Sequence, residues 1–199
     1  MKKFAGLFLL LFVVFVGFYG PSAAYGFEEE VYIFQTMDDP AVPPDIDVLN
    51  EALNEWNINL KIDNVEQLPP GFLPLGASLW AVNTRNKDGK IVKEKVRQVG
   101  TGTAVTIISD DSSDFSPFGP LAPFYFKANV GEMEFTAAGY GIVIGHFGGA
   151  ALVGCNLVVA DAPDKGILGG SATSNSVLPL VESSVYQTGS FWTVRLLKE

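Results

Sequence analysis

The chain is poor in the residues that build disulfides and zinc sites. It has one cysteine, Cys155, and one histidine, His146, in 199 residues. An intramolecular disulfide needs two cysteines, and a zinc site of the usual kind needs several Cys or His ligands. Both are therefore excluded, and the fold must be stabilised by burial and hydrogen bonding. Because Cys155 lies in an apolar stretch, we expect a buried, unreactive thiol.

Basic residues are also scarce. The chain has 13 Lys and Arg against 22 Asp and Glu, which gives a net charge of −9. An acidic chain is poorly suited to bind nucleic acid or an anionic membrane surface, because both carry the same sign of charge. We therefore expect neither as a partner.

Charged residues are absent from a long stretch near the N-terminus. Two lysines are followed by an apolar run that ends at residue 20, and small residues come next. This pattern is typical of a cleaved, bacterial-type secretory signal, whereas a membrane anchor needs about 20 consecutive apolar residues. We predict a signal peptide over residues 1–24 and a single barrel domain over residues 25–199, with cleavage after Gly26 as the alternative. The mature protein would then be secreted or periplasmic, without stable membrane anchoring.

Alternation of apolar and polar residues predicts β-strands along most of the mature chain. Residues 124–130 and 133–137 alternate on either side of Gly131, which predicts a hairpin with one apolar face. A second hairpin is predicted around the Asp88-Gly89 turn, because this dipeptide suits tight hairpin turns. The strands of this second hairpin are residues 79–85 and 91–99. Four further strands are predicted, at residues 31–34, 100–109, 149–159 and 190–197, so the two hairpins and these four strands make about eight in all. Predicted loops cover residues 110–123 and 160–176.

One helix is predicted after two consecutive prolines. Asp45 is a suitable N-cap, and Ile46, Leu49, Leu53 and Trp56 follow at helical spacing. We expect this apolar stripe to pack on the sheet, and a partner-binding helix is the alternative. Many strands with Gly- and Pro-rich turns predict an all-β, mainly antiparallel fold: a small eight-stranded barrel, or alternatively a sandwich, with one flanking α-helix.

Two segments resemble the dirigent and allene oxide cyclase-like barrel proteins. Residues 99–104 read VGTGTA, and residues 149–159 read GAALVGCNLVV. The family's late Gly-Gly-Thr-Gly segment is matched only in part by GGSAT at residues 169–173, and the predicted helix departs from the family pattern. The resemblance implies an eight-stranded antiparallel barrel with an apolar cavity. It also implies binding or orienting of a small hydrophobic molecule, without a metal or redox cofactor.

Three residues are candidates for acid–base chemistry. Asp38 and Asp39 follow the first predicted strand, where the mouth of a barrel would lie, and His146 follows a glycine in a predicted turn. Carboxylates and histidine act as general acids or bases when their surroundings shift their pKa values. Roles in turns or on the solvated surface are the alternative for all three.

Other residues are candidates for binding a ligand or a metal ion. Asp110, Asp111 and Asp114 crowd one predicted loop, and Ca²⁺ binds such carboxylate oxygens, although the EF-hand spacing is absent. The candidate ligand-binding residues are Trp80, Arg97, Tyr125 and Tyr140. Ordinary core packing is the alternative for the aromatic residues.

The sequence is compatible with three functions. The first is an exported, non-catalytic barrel that holds a small hydrophobic or aromatic molecule inside. The second is a cofactor-independent isomerase or cyclase that uses a strand-end carboxylate. The third is a structural or adhesive surface protein. No cofactor is expected, and homo-oligomer formation is left open.

Overall fold

The structure is a computed structural model that describes residues 28–38, 41–82, 97–107, 122–147, 150–179 and 189–199. Its strands are joined in chain order into a closed antiparallel barrel. The strands are β1 (Glu28–Asp38), β2 (Phe72–Ala81), β3 (Gln98–Ile107), β4 (Ala122–Val130), β5 (Met133–Phe147), β6 (Ala150–Val159), β7 (Ile167–Pro179) and β8 (Gly189–Lys198). Helix α1 (Ile46–Glu55) lies between β1 and β2.

The barrel closes because the first and last strands pair. Thr36 of β1 lies opposite Leu79 of β2 on one side and opposite Ser190 of β8 on the other. Closure gives every described strand a partner on each side, which limits the exposed edges that could pair with other chains. The β1–β2 seam is the short one, because only residues 34–38 of β1 pair with β2. The predicted eight-stranded antiparallel barrel is confirmed, and the sandwich alternative is wrong.

One strand boundary and one loop prediction need correction. Gln98–Ile107 forms one continuous strand, β3, so the predicted break between residues 99 and 100 is wrong, whereas residues 91–96 of the predicted strand 91–99 lie outside the described residues. Residues 160–176 were expected as a loop, but Ile167–Pro179 forms β7. Glycine and serine have a low intrinsic tendency to form strands. Here β7 forms because it pairs with β6 on one side and with β8 on the other. The Asp88-Gly89 turn lies outside the described residues.

The barrel interior is packed with aromatic rings. Phe126 lies in the middle, with its ring centroid 4.5 Å from that of Trp192, 5.8 Å from Phe135 and 6.4 Å from Phe34. All four side chains are buried. The predicted alternation of β4 is confirmed, because Phe126 and Ala128 face this core whereas Tyr125 packs beneath the helix.

Helix α1 packs on the outside of the barrel. Asp45 caps it as predicted, because its side chain accepts a hydrogen bond from Asp47 N, and the Asp45 N–H donates to Thr103 Oγ1 at 2.9 Å. The chain before the helix lies directly on β2, where a side chain at Gly76 would overlap the Val42 carbonyl oxygen. The buried stripe of the helix contacts Val105 and Tyr125.

Asn50 fixes the chain that follows the helix. Its amide nitrogen donates to the carbonyl oxygens of Ile46 and Ile62, and its amide oxygen accepts from Ile62 N, all at 2.9–3.0 Å. Ile62 is thereby tied to the first half of α1, and its side chain is buried with Val105 and Tyr125 of the barrel. Among the described residues, no helix has the length and apolar character needed to cross a membrane.

Candidate ligand groove

A groove lies on the outside of the barrel, between the C-terminal end of α1 and strands β4, β5 and β6. We call it the outer groove. Its volume is about 980 Å³, at the upper end of the range for small-molecule sites. Its walls include Glu55, Trp56, Ile58, Ile107, Pro123, Tyr125, Thr136, Ala138, Tyr140, Asn156 and Val158.

Apolar and aromatic surface in the groove faces solvent. Tyr140 is 55% exposed and Val158 is 71% exposed. The Trp56 ring packs on Phe72, with the ring centroids 6.1 Å apart, and this contact holds the indole at the end of the helix. Tyrosine and tryptophan combine a large apolar face with a polar tip, which suits them to bind small apolar molecules.

Strand alternation builds the floor of the groove. On β5, Thr136, Ala138 and Tyr140 point outward, while Ala137 between them is buried in the barrel core. Register places Ala138 opposite Val158, and Tyr140 opposite Asn156. The small side chain of Ala138 leaves the space between the larger side chains open.

Tyr125 joins the groove to the helix. Its hydroxyl donates to Glu51 Oε2 at 3.1 Å, and Lys127 Nζ lies 2.8 Å from Glu51 Oε1. Burial, followed by the charge of Glu51, raises the pKa of Tyr125 well above its usual value. The hydrogen bond to Glu51 raises the pKa of Lys127. At neutral pH, Tyr125 is therefore a neutral donor and Lys127 is a cation.

A smaller pocket of about 370 Å³ lies at the other end of the helix. Asp45, Asp47, Glu51 and Glu134 line it together with Lys127. Lys127 and Lys165 pair with two of these carboxylates. Within the described ranges, no group of three or more His, Cys, Asp and Glu residues has the arrangement of a metal site.

The described part of the barrel interior is occupied by its own side chains. The aromatic core fills the middle, and Cys155 lies buried beside it, as predicted. Burial raises the pKa of the Cys155 thiol, which keeps it protonated and unreactive. In the described part of the barrel, this packed core occupies the place where the resemblance implies an apolar cavity.

The structure brings together two of the four candidate ligand-binding residues. Tyr125 and Tyr140 both line the outer groove. Trp80 lies on β2, opposite Gln35 of β1 and Gln98 of β3, away from the groove. Arg97 is exposed just before β3, and its carbonyl oxygen accepts a hydrogen bond from Ala81 N.

The candidate catalytic and metal-binding residues remain predictions. Asp38 is the last residue of β1, opposite Ala77, and His146 lies in β5, opposite Ala151. Asp39 and the calcium candidates Asp110, Asp111 and Asp114 lie outside the described residues.

Several groove residues were not among the sequence candidates. Trp56 was assigned to the apolar stripe of the helix, and Glu55 was not singled out. Val158 was read as part of an apolar strand. The alternation of β6 indicates that Val158 points away from Leu157 and Val159, but the sequence does not show that the end of a helix lies beside it.

Comparison with known proteins adds no assignment. No protein-family model, curated protein or solved structure matches the chain.

Proposed function

We propose that this chain is an exported, non-catalytic barrel protein that binds a small hydrophobic or aromatic molecule in the outer groove. The observation that carries the proposal is solvent-facing aromatic and aliphatic surface within a concave site of about 980 Å³. Contiguous exposed apolar surface is uncommon on a soluble protein and marks interaction sites.

The surroundings of the groove support binding. Its floor is made by paired strands, and the Ile58 N–H donates to the Leu53 carbonyl oxygen at 2.8 Å, which ties Ile58 to the helix. A groove that is already formed before binding loses little conformational entropy when a ligand enters. The dirigent-like resemblance implies the same class of ligand and an eight-stranded antiparallel barrel, which is the architecture observed. It implies a cavity inside the barrel, however, whereas the described interior is packed with side chains and the proposed site lies outside.

A fluorescence titration with N-phenyl-1-naphthylamine tests the proposal. This neutral dye brightens in apolar sites. The full chain is expressed, and the form that accumulates is purified and titrated. Tyr140→Ser removes an exposed ring from the groove, so we expect the dye affinity to fall about tenfold, the equivalent of 1.4 kcal/mol.

Phe191→Ser is the matched control. Phe191 is 46% exposed on β8, and it does not line the groove. This variant should bind the dye like the unchanged chain. Equal losses in both variants, or no saturable binding by the unchanged chain, would contradict the proposal.

A further inference from the structure

The described lining of the outer groove carries one acid and no base. Glu55, the last residue of α1, is the acid. The other polar groups of the lining are neutral amides and hydroxyls, such as those of Asn57, Thr136 and Asn156. Among the described lining residues, a ligand in the groove therefore meets one negative charge and no positive charge.

Among the described residues, the Glu51 carboxylate is paired with a cation, whereas the Glu55 carboxylate is not. Glu51 accepts from both Lys127 and Tyr125. Within the described part of the chain, Glu55 has no ion pair or side-chain hydrogen bond. Its field still reaches the groove: after burial and Glu51, the charge of Glu55 contributes to the raised pKa of Tyr125.

Aromatic faces add to the attraction for positive charge. The ring quadrupoles of tryptophan and tyrosine attract ammonium groups that lie within about 6 Å of the ring. Trp56 is adjacent to Glu55 in the chain, and the exposed ring of Tyr140 lines the same groove. The net charge of −9 favours the approach of a cation as well.

We propose that the outer groove selects cationic hydrophobic molecules, namely amines or quaternary ammonium compounds that carry an aromatic or aliphatic group. The inference rests on the proposed function and names its ligand class. The ammonium group lies beside Glu55 and the Trp56 ring, and the apolar part covers Tyr140 and Val158. A neutral compound of the same shape binds more weakly, and an anion more weakly still.

Two compounds of nearly the same shape separate charge from apolar contact. (4-Hydroxyphenyl)trimethylammonium is cationic, and 4-tert-butylphenol is its neutral counterpart. Each is titrated by isothermal calorimetry into the purified protein. We expect the cation to bind about tenfold more tightly, because carboxylate attraction and cation–π attraction are each worth a few-fold at an exposed site.

Glu55→Gln tests the source of this preference. We expect the variant to bind the cation a few-fold more weakly and to bind the neutral compound unchanged. Glu132→Gln removes the same charge from the exposed β4–β5 turn and should change neither affinity. Equal binding of the two compounds, or equal losses in the two variants, would overturn the cation preference while leaving the proposed function standing. If neither compound binds, and the dye does not bind either, the proposed function fails as well.

Discussion

At the scale of single residues, Tyr125 is a strand residue that points out of the barrel and bonds to the helix. Its neighbours Phe124 and Phe126 face the barrel interior, and Tyr125 faces the helix. Its hydroxyl partner, Glu51, is 74 residues away in the chain. Tyr125 therefore contacts the helix and forms part of the groove wall at once.

The protonation of this tyrosine gives a stability prediction. The pKa of Tyr125 is raised by burial and by Glu51, and burial and Glu30 raise the pKa of Tyr32 to about 12. Groups with raised pKa values stabilise the fold fully below the unfolded value, and this contribution is lost as the pH rises through the folded value. We therefore expect the free energy of unfolding to fall as the pH increases above about 10.

Urea unfolding at a series of pH values checks this expectation. Tyr125→Phe removes one of the two groups, so stability should fall less steeply between about pH 9 and 11 than in the unchanged chain. Phe191→Ser alters an exposed aromatic residue that has no ionisable group and is the control, for which the unchanged slope is expected. A Tyr125→Phe slope as steep as that of the unchanged chain would refute this role for Tyr125.

The sequence predicted which side chains of a strand face the core, but it did not predict which element packs on the outward-facing ones. Alternation correctly separated Phe126 and Ala128 from Tyr125, and the apolar stretch around Cys155 correctly predicted a buried thiol. The groove was not predictable, because it depends on where the helix lies on the barrel. That position is set by contacts between residues far apart in the chain, such as Glu51 with Lys127.

At the scale of elements, helix α1 is the part that was best predicted and β7 the part that was missed. The helix carries local signals: the Asp45 cap and apolar residues at helical spacing. The β7 sequence carries Gly169, Gly170 and several serines, which alone favour a loop. Its strand structure comes from β6 and β8, which pair with it on both sides.

The connection after α1 should be necessary for the groove. Asn50→Ala removes three hydrogen bonds to the backbone of Ile46 and Ile62. We expect a loss of about 1–3 kcal/mol in the free energy of unfolding, because partly buried backbone groups of Ile62 lose their partners. Since the same segment carries Ile58, dye affinity should also fall.

Asn54→Ala provides the comparison on the same helix, because Asn54 is exposed. Urea midpoints and dye titrations of the two variants should therefore differ clearly. If Asn50→Ala unfolds at the same urea concentration as Asn54→Ala, the side chain of Asn50 does not hold this segment.

At the scale of the whole molecule, the barrel provides a rigid support and the groove provides a site on its surface. The interior of the described barrel is filled by Phe34, Phe126, Phe135 and Trp192, which stabilise the fold. Eight strands enclose just enough space for such side chains. Export, which the N-terminal pattern predicts, stays a prediction, and we propose that the groove meets its ligand outside the cytoplasm.

The central claim is that the ligand binds on the outer groove. Amide chemical shifts of ¹⁵N-labelled protein, recorded during titration with (4-hydroxyphenyl)trimethylammonium, test it most directly. We predict that the largest changes fall on groove residues such as Ile58, Ala138 and Val158. Changes concentrated on core positions such as Ala172 and Leu196, or on the far face around Ile33, would contradict the claim.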